Sequence, residues 1–268
     1  MKINGLYYNY DSPVFGSKKH SVQKADEIQR QTRRAFPMLS PTYIDNFYHI
    51  KKYGYNDRLK ATRISDKIHS KIMTAREMEK FPQYYGINQS DFEKDTPYAL
   101  ILSIVRDLKL GNCQENAKAA VAVLCANGYL NTKRANLYLQ IDMVNKHTGE
   151  VEYTERAPLD HSFAITDMNT EDDLNIVVDP WLGFADTKDK AIAKFKSMYD
   201  ERDLYEPRSY CRYRFFLSKH NRGEEVATSD YDVKTKMVIV PIESFDKEKL
   251  ENLGYYTQLI NKRIKADN

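Results

Sequence analysis

Three residues have the types that thiol chemistry needs and stand where the chain pattern can bring them together: Cys113, His161 and Asp179. Cys113 follows Leu110-Gly111-Asn112 and opens an apolar run, so it falls in the first turn of a predicted helix over residues 113–127 that stops at Gly128. A helix N-terminus carries partial positive charge and free N–H groups. Both favour a thiolate, the reactive form of cysteine, and the N–H groups can also hold an oxyanion. Ala117, Ala120, Val121 and Leu124 continue one stripe from Cys113 at helical spacing, which points the sulfur toward whatever the helix packs on. Gly111 leaves room for a substrate backbone to approach. Cys125 and Cys211 have no such setting and read as small buried residues.

His161 begins the strand pattern His161-Ser162-Phe163-Ala164-Ile165-Thr166, in which His161, Phe163 and Ile165 share the core-facing side. A hairpin through residues 167–173 with Thr166 opposite Leu174 sets His161 opposite Asp179. Directly opposed residues have Cβ atoms about 4.5–5.5 Å apart on one face. A carboxylate there can orient the imidazole and stabilise its charged form. The plainer alternatives are a core histidine and an Asp-Pro strand end at Asp179-Pro180. A one-residue slip in the register moves Asp179 to the other face. Taken together the three supply a nucleophile, a base and an orienting group.

The elements that must position these residues follow from periodicity. Helices are predicted over residues 21–34, with Ser21 as cap, and 65–80, where Ile68, Ile72 and Met73 form the apolar face. Ala99–Leu108 is an apolar helix candidate. Strands are expected at 136–145 and 150–156, joined by a turn through Lys146-His147-Thr148-Gly149, and then at 161–166 and 174–179. A helix over 191–199, strands at 210–217 and 236–242 and a closing helix at 247–263 complete the reading. This is an α+β pattern: a helical N-terminal extension or cap over residues 1–95, then a catalytic domain over 96–268 with the nucleophile helix packed on an antiparallel sheet.

Composition narrows the function classes. The 41 basic and 38 acidic residues leave a charge of +3, too even to argue for nucleic acid. The basic clusters near the N-terminus read as solvated helix faces. Three cysteines without a CxxC pair make neither a disulfide framework nor a structural zinc site, and no cofactor is implied. A metal site built from Cys113, His161 and Asp179 has the right residue types but no close-spaced ligand pair. No apolar run reaches membrane-spanning length, and MKINGLYYNYDSPVFG lacks the apolar core of a Sec signal. The chain is expected to be cytoplasmic, or secreted into a host cell by a route that needs no signal peptide.

The blocks Gly111-Asn112-Cys113-Gln114-Glu115-Asn116-Ala117, Asp160-His161-Ser162-Phe163-Ala164-Ile165 and Ile176-Val177-Val178-Asp179-Pro180-Trp181 resemble the three motif blocks of the papain-like and transglutaminase-like cysteine enzyme superfamily, over roughly residues 97–217. The resemblance implies a papain-like core, with Cys113 as nucleophile, His161 as base and Asp179 as orienting residue. It implies acyl transfer on a protein substrate through a thioester, with glutamine deamidation or transglutamination ahead of proteolysis. The papain branch has a Gln several residues before its Cys, where this chain has Asp107-Leu108-Lys109. That departure favours the transglutaminase-like branch. It leaves the backbone N–H of Cys113 as oxyanion donor, with Asn112, Gln114 and Trp181 as secondary candidates for oxyanion binding or substrate positioning. The superfamily also includes bacterial effectors that act on host proteins, which suits a Lys-, Asn- and Tyr-rich chain. The competing reading is a non-catalytic protein-binding module that keeps the fold.

Overall fold

The computed structural model describes residues 18–40, 55–80, 109–129, 131–168 and 175–244. Within them lie five α-helices and a five-stranded sheet. In chain order these are α1 (Lys18–Ala35), α2 (Tyr55–Lys80), α3 (Cys113–Ala126), β1 (Thr132–Asn145), β2 (Val151–Asp167), β3 (Asn175–Asp179), β4 (Phe184–Thr187), α4 (Lys188–Lys196), α5 (Glu201–Asn221) and β5 (Tyr231–Ser244). The strands run antiparallel in the order β4-β3-β2-β1-β5. This is the expected mixed α+β arrangement. The candidate helices over 99–108 and 247–263, and the expected boundary near residue 95, lie outside the described residues.

Period-2 alternation sorts the side chains between the two faces of the sheet. Leu137, Leu139, Ile141, Phe163, Ile165, Val177 and Ile239 bury one face against Phe195 of α4 and Cys211 of α5. On the other face Ala164, Ile176, Val178 and Ala185 pack under α1 and α3. The β2–β4 half of the sheet is therefore covered on both sides. α3 is buried from Glu115 through Cys125, all the way round and not along one stripe. Ala117, Ala119, Ala120 and Ala122 make this possible, because a helix surface of methyl groups can approach both the sheet and α1 closely.

Several local expectations change. α1 begins at Lys18, so Ser21 is a buried residue inside the helix and not its cap. In α2 the buried row is Ile68, Ile72 and Ala75, while Met73 is exposed. The strands expected at 150–156 and 161–166 are one 17-residue strand, β2. Its pairing with β1 changes register between Asn136–Ser162 and Tyr138–Pro158, so Leu137 faces the three residues 159–161. A bulge thus carries the chain past Pro158 where a break is expected. Residues 210–217 are helical and not a strand: Leu204, Arg208, Cys211 and Phe215 are the less exposed positions, at a spacing of three to four. The alternating Cys211, Tyr213 and Phe215 mimic a strand period, but Tyr213 is exposed. The short strand β4 is not anticipated by the sequence pattern.

The hairpin that carries Asp179 is shifted by two residues from the expected register. Thr166 pairs with Ile176, Ile165 with Val177 and Ala164 with Val178. A two-residue shift preserves the face, whereas a one-residue shift reverses it. Asp179 therefore keeps the side of the sheet on which Phe163 lies, diagonal to His161. Because β3 pairs only with residues 164–167, the edge of β2 at His161 has no β3 neighbour.

The alanine surface of α3 leaves no space for a larger side chain. Ala120→Leu is expected to lower stability by about 1–3 kcal/mol, read as a reduced urea midpoint with an unchanged slope. An unchanged midpoint would show that α3 is not tightly packed.

Candidate active site

Asn112 is the N-cap of α3, in extended backbone geometry, and Cys113 is the first helical residue, partly exposed. Asn112 donates its backbone N–H to Glu115 Oε2 at 2.9 Å. The first-turn N–H groups of Cys113 and Gln114 precede the first intrahelical donor, Asn116, which bonds the carbonyl of Asn112. The loop before Cys113 is laced to the N-terminal part of the chain. Leu39 N–H donates to the Lys109 carbonyl, and Gly111 N–H donates to the Leu39 carbonyl. Ser40 Oγ donates to Asn112 Oδ1 at 2.6 Å. Gly111 is buried, and a Cβ there would lie 2.5 Å from Met38 Sδ and 2.9 Å from Glu115 Cβ. The glycine thus admits two packed segments of this chain, and not the substrate backbone expected from the sequence.

His161 is 3% exposed and Asp179 0%. Nε2 of His161 lies 2.7 Å from Asp179 Oδ2. The other carboxylate oxygen of Asp179 accepts the Leu182 N–H at 3.0 Å, and its carbonyl accepts the Gly183 N–H at 2.8 Å. Asp179 thereby closes the turn Pro180–Gly183 as well as holding the imidazole. The turn sets the Trp181 ring 5.3 Å from the imidazole, centroid to centroid. Phe163 and Phe195 pack on the same ring at 5.6 and 5.1 Å.

Burial alone would lower the His161 pKa. The hydrogen bond to Asp179, the charge of that carboxylate and the proximity of the Cys113 side chain outweigh it, and the value rises from 6.5 to about 9. With Nε2 committed to Asp179, Nδ1 is the ring nitrogen that Asp179 does not engage. The other thiols differ: burial pushes Cys125 up to about 12, and burial with the nearby Glu155 pushes Cys211 up to about 11.

Beside His161 opens a cleft of about 500 Å³ whose walls include Asp160, Trp181, Tyr199, Asp203 and Glu206. Tyr199 is raised to about 12 by burial and by the negative charge of Cys113, Asp160 and Asp203, which ties it to the same site. The structure thus brings Cys113, His161, Asp179 and Trp181 together. Asn112 spends its carboxamide oxygen on Ser40, and Gln114 is partly exposed on the first turn of α3. Tyr199, Phe195 and the acidic wall are not singled out by the sequence reading. Their residue types are common in helices and loops, and no spacing links them to Cys113. Among the described residues no group of three His, Cys, Asp or Glu forms a metal-ion site, and no helix is long and apolar enough to cross a membrane. No family model matches the chain, no curated protein matches its sequence, and no solved structure matches its fold.

The raised His161 pKa has a consequence for stability. A group whose pKa is higher in the folded state stabilises that state fully below the unfolded value of about 6.5, and the contribution is lost as pH rises through the folded value. Urea unfolding of the wild type is expected to lose stability between pH 6.5 and 9, and Asp179→Asn to flatten that slope. Equal slopes in both proteins would mean that the His161–Asp179 bond does not set the titration.

Proposed function

We propose that the chain is a cysteine-dependent acyl-transfer enzyme of the papain-like and transglutaminase-like kind, acting on a carboxamide or peptide bond of a protein substrate. The observation that carries this reading is the buried His161 Nε2–Asp179 Oδ2 bond of 2.7 Å, with Cys113 at a helix N-terminus near enough to the same imidazole to help raise its pKa. A histidine buried among Phe163, Phe195 and Trp181 has no packing reason to be ionisable. Held charged at neutral pH, it can face a thiolate as an ion pair.

In the proposed reaction the Cys113 sulfur attacks the substrate carbonyl carbon and the carbonyl oxygen takes up negative charge. The N–H groups of Cys113 and Gln114 at the start of α3 are placed to bond that oxygen. The C–N bond then breaks, and the departing amine takes the proton from His161. The resulting thioester is attacked by water or by a second amine, His161 accepts the proton of the attacking group, and the C–S bond breaks to regenerate the thiolate. Asp179 keeps the imidazole oriented through both halves and is not itself protonated. Water as acceptor gives deamidation or hydrolysis, and an amine gives cross-linking. The chain would need no cofactor for either route, and as an effector it would meet its protein substrate inside a host cell.

Iodoacetamide at neutral pH is expected to modify Cys113 in the folded protein while Cys125 and Cys211 stay intact, since both are buried thiols with raised pKa values. Equal labelling of all three would remove the case for an activated thiol. Mass spectrometry of candidate protein substrates incubated with wild type and with Cys113→Ala then reads the reaction. Amide-to-acid conversion indicates deamidation, fragments indicate proteolysis and cross-linked adducts indicate transglutamination, each abolished in the variant. Products that persist with Cys113→Ala would overturn the assignment.

A further inference from the structure

The buried carboxylate of Glu115 lies two residues beyond Cys113 and is 1% exposed. It is held by a two-pronged contact from a different part of the chain: Arg76 Nε donates to Oε1 at 2.7 Å and Arg76 Nη2 donates to Oε2 at 3.0 Å. Arg76 comes from α2, 39 positions earlier. Glu115 Oε2 also accepts the N–H of Asn112, the residue immediately before the thiol. A glutamate on the third helical residue can cap a helix without help from an arginine. The fork adds direction, because a planar guanidinium bonded through two nitrogens allows the carboxylate little rotation.

The chain of contacts is short. Arg76 fixes Glu115, Glu115 fixes the Asn112 N–H, and the Asn112 backbone fixes where the Cys113 Cα–Cβ bond points. Ser40 holds the Asn112 side chain from the other side. The positive charge of Arg76 is also within electrostatic reach of Cys113 and of Asp160 on the cleft wall. It therefore offsets the Glu115 charge beside the thiol.

We propose that Arg76 is a positioning residue for Cys113: by clamping Glu115 it fixes the start of α3, so that α2 belongs to the catalytic unit. This rests on the thiol chemistry assigned to Cys113. Displacing a nucleophile by a fraction of an ångström slows attack steeply, whereas removing an ordinary surface ion pair does not.

The test measures the iodoacetamide alkylation rate of each cysteine in the full chain by mass spectrometry, together with the melting temperature, for Arg76→Gln, Arg76→Lys, Glu115→Gln and the double variant Arg76→Gln/Glu115→Gln. In Arg76→Gln, Cys113 is expected to react about tenfold more slowly than in wild type, with Cys125 and Cys211 still protected. Arg76→Lys, which keeps the charge but not the fork, is expected to recover part of the rate. The double variant, free of an unpaired buried carboxylate, is expected to react faster than Arg76→Gln and more slowly than wild type. If Arg76→Gln fails to fold, labelling of Cys125 and Cys211 will reveal it, and the lysine and double variants decide. Folded variants in which Cys113 reacts at the wild-type rate overturn the proposal and leave the thiol chemistry standing. A wild-type Cys113 no more reactive than Cys125 overturns the thiol chemistry itself, and this proposal with it.

Discussion

A single side-chain hydrogen bond, from the imidazole of His161 to the carboxylate of Asp179, ties the end of β3 to an interior position of β2 with which it has no ladder pairing. Both groups are shut off from water, so each needs the other: a buried carboxylate without a donor, or a buried imidazolium without an anion, is strongly unfavourable. That need constrains the register of β3 on β2, the turn after Asp179, and the position of Trp181 on the wall of the cleft. The aromatic rings of Phe163, Phe195 and Trp181 enclose the pair and make the surroundings poor in solvent. Electrostatic interactions there are correspondingly stronger than at the surface.

The partner of that pair, Cys113, is delivered from the opposite direction. α3 packs on the face of the sheet formed by Ala164 and Val178, while His161 contacts Phe195 on the other face. The two sides meet because β3 stops at Asp179, leaving the β2 edge open where the bulge at residues 159–161 carries His161. The first turn of α3 is held by segments far away in the chain: Leu39 and Ser40 on one side, Arg76 on the other. Lys109, with φ of +53°, is bent into left-handed geometry to make that junction. α1 also shares its core with α3, through Ala25, Ile28 and Ala35. The first turn of α3 is thus set by contacts with the N-terminal segments as well as by its own sequence.

Much of this was readable from short-range pattern. The start of α3 at Cys113 and its stop at Gly128 follow from Asn112 as N-cap, an alanine-rich run and a glycine at positive φ. The strands flanking the turn at Lys146–Gly149, and the last strand, follow from alternation and turn residues. Errors fell where two periods compete. Residues 210–217 alternate like a strand but bury a helical row, and the segments expected as separate strands at 150–156 and 161–166 run on as one through a bulge. The choice in each case rests on what packs against the segment: β1 and the hairpin core for Cys211 and Phe215, and the bare edge of β2 for Pro158.

The sequence by itself determined the residue types of the site and the elements that carry them. It narrowed the face as well: the parity of residues 161, 163, 165, 177 and 179 keeps His161 and Asp179 on one side under any even shift of register, because side chains alternate with a period of two. What only the tertiary structure decided is the pairing itself. The actual register is two residues from the one expected, so the imidazole reaches Asp179 diagonally and not straight across. The contributions of Arg76, Ser40, Tyr199 and Phe195 were equally out of reach, since contacts across 39 or 72 positions leave no periodic trace in a single chain. They arise from the way α1 and α4 pack on the sheet and α2 reaches the start of α3, a long-range packing outcome that local propensity does not encode.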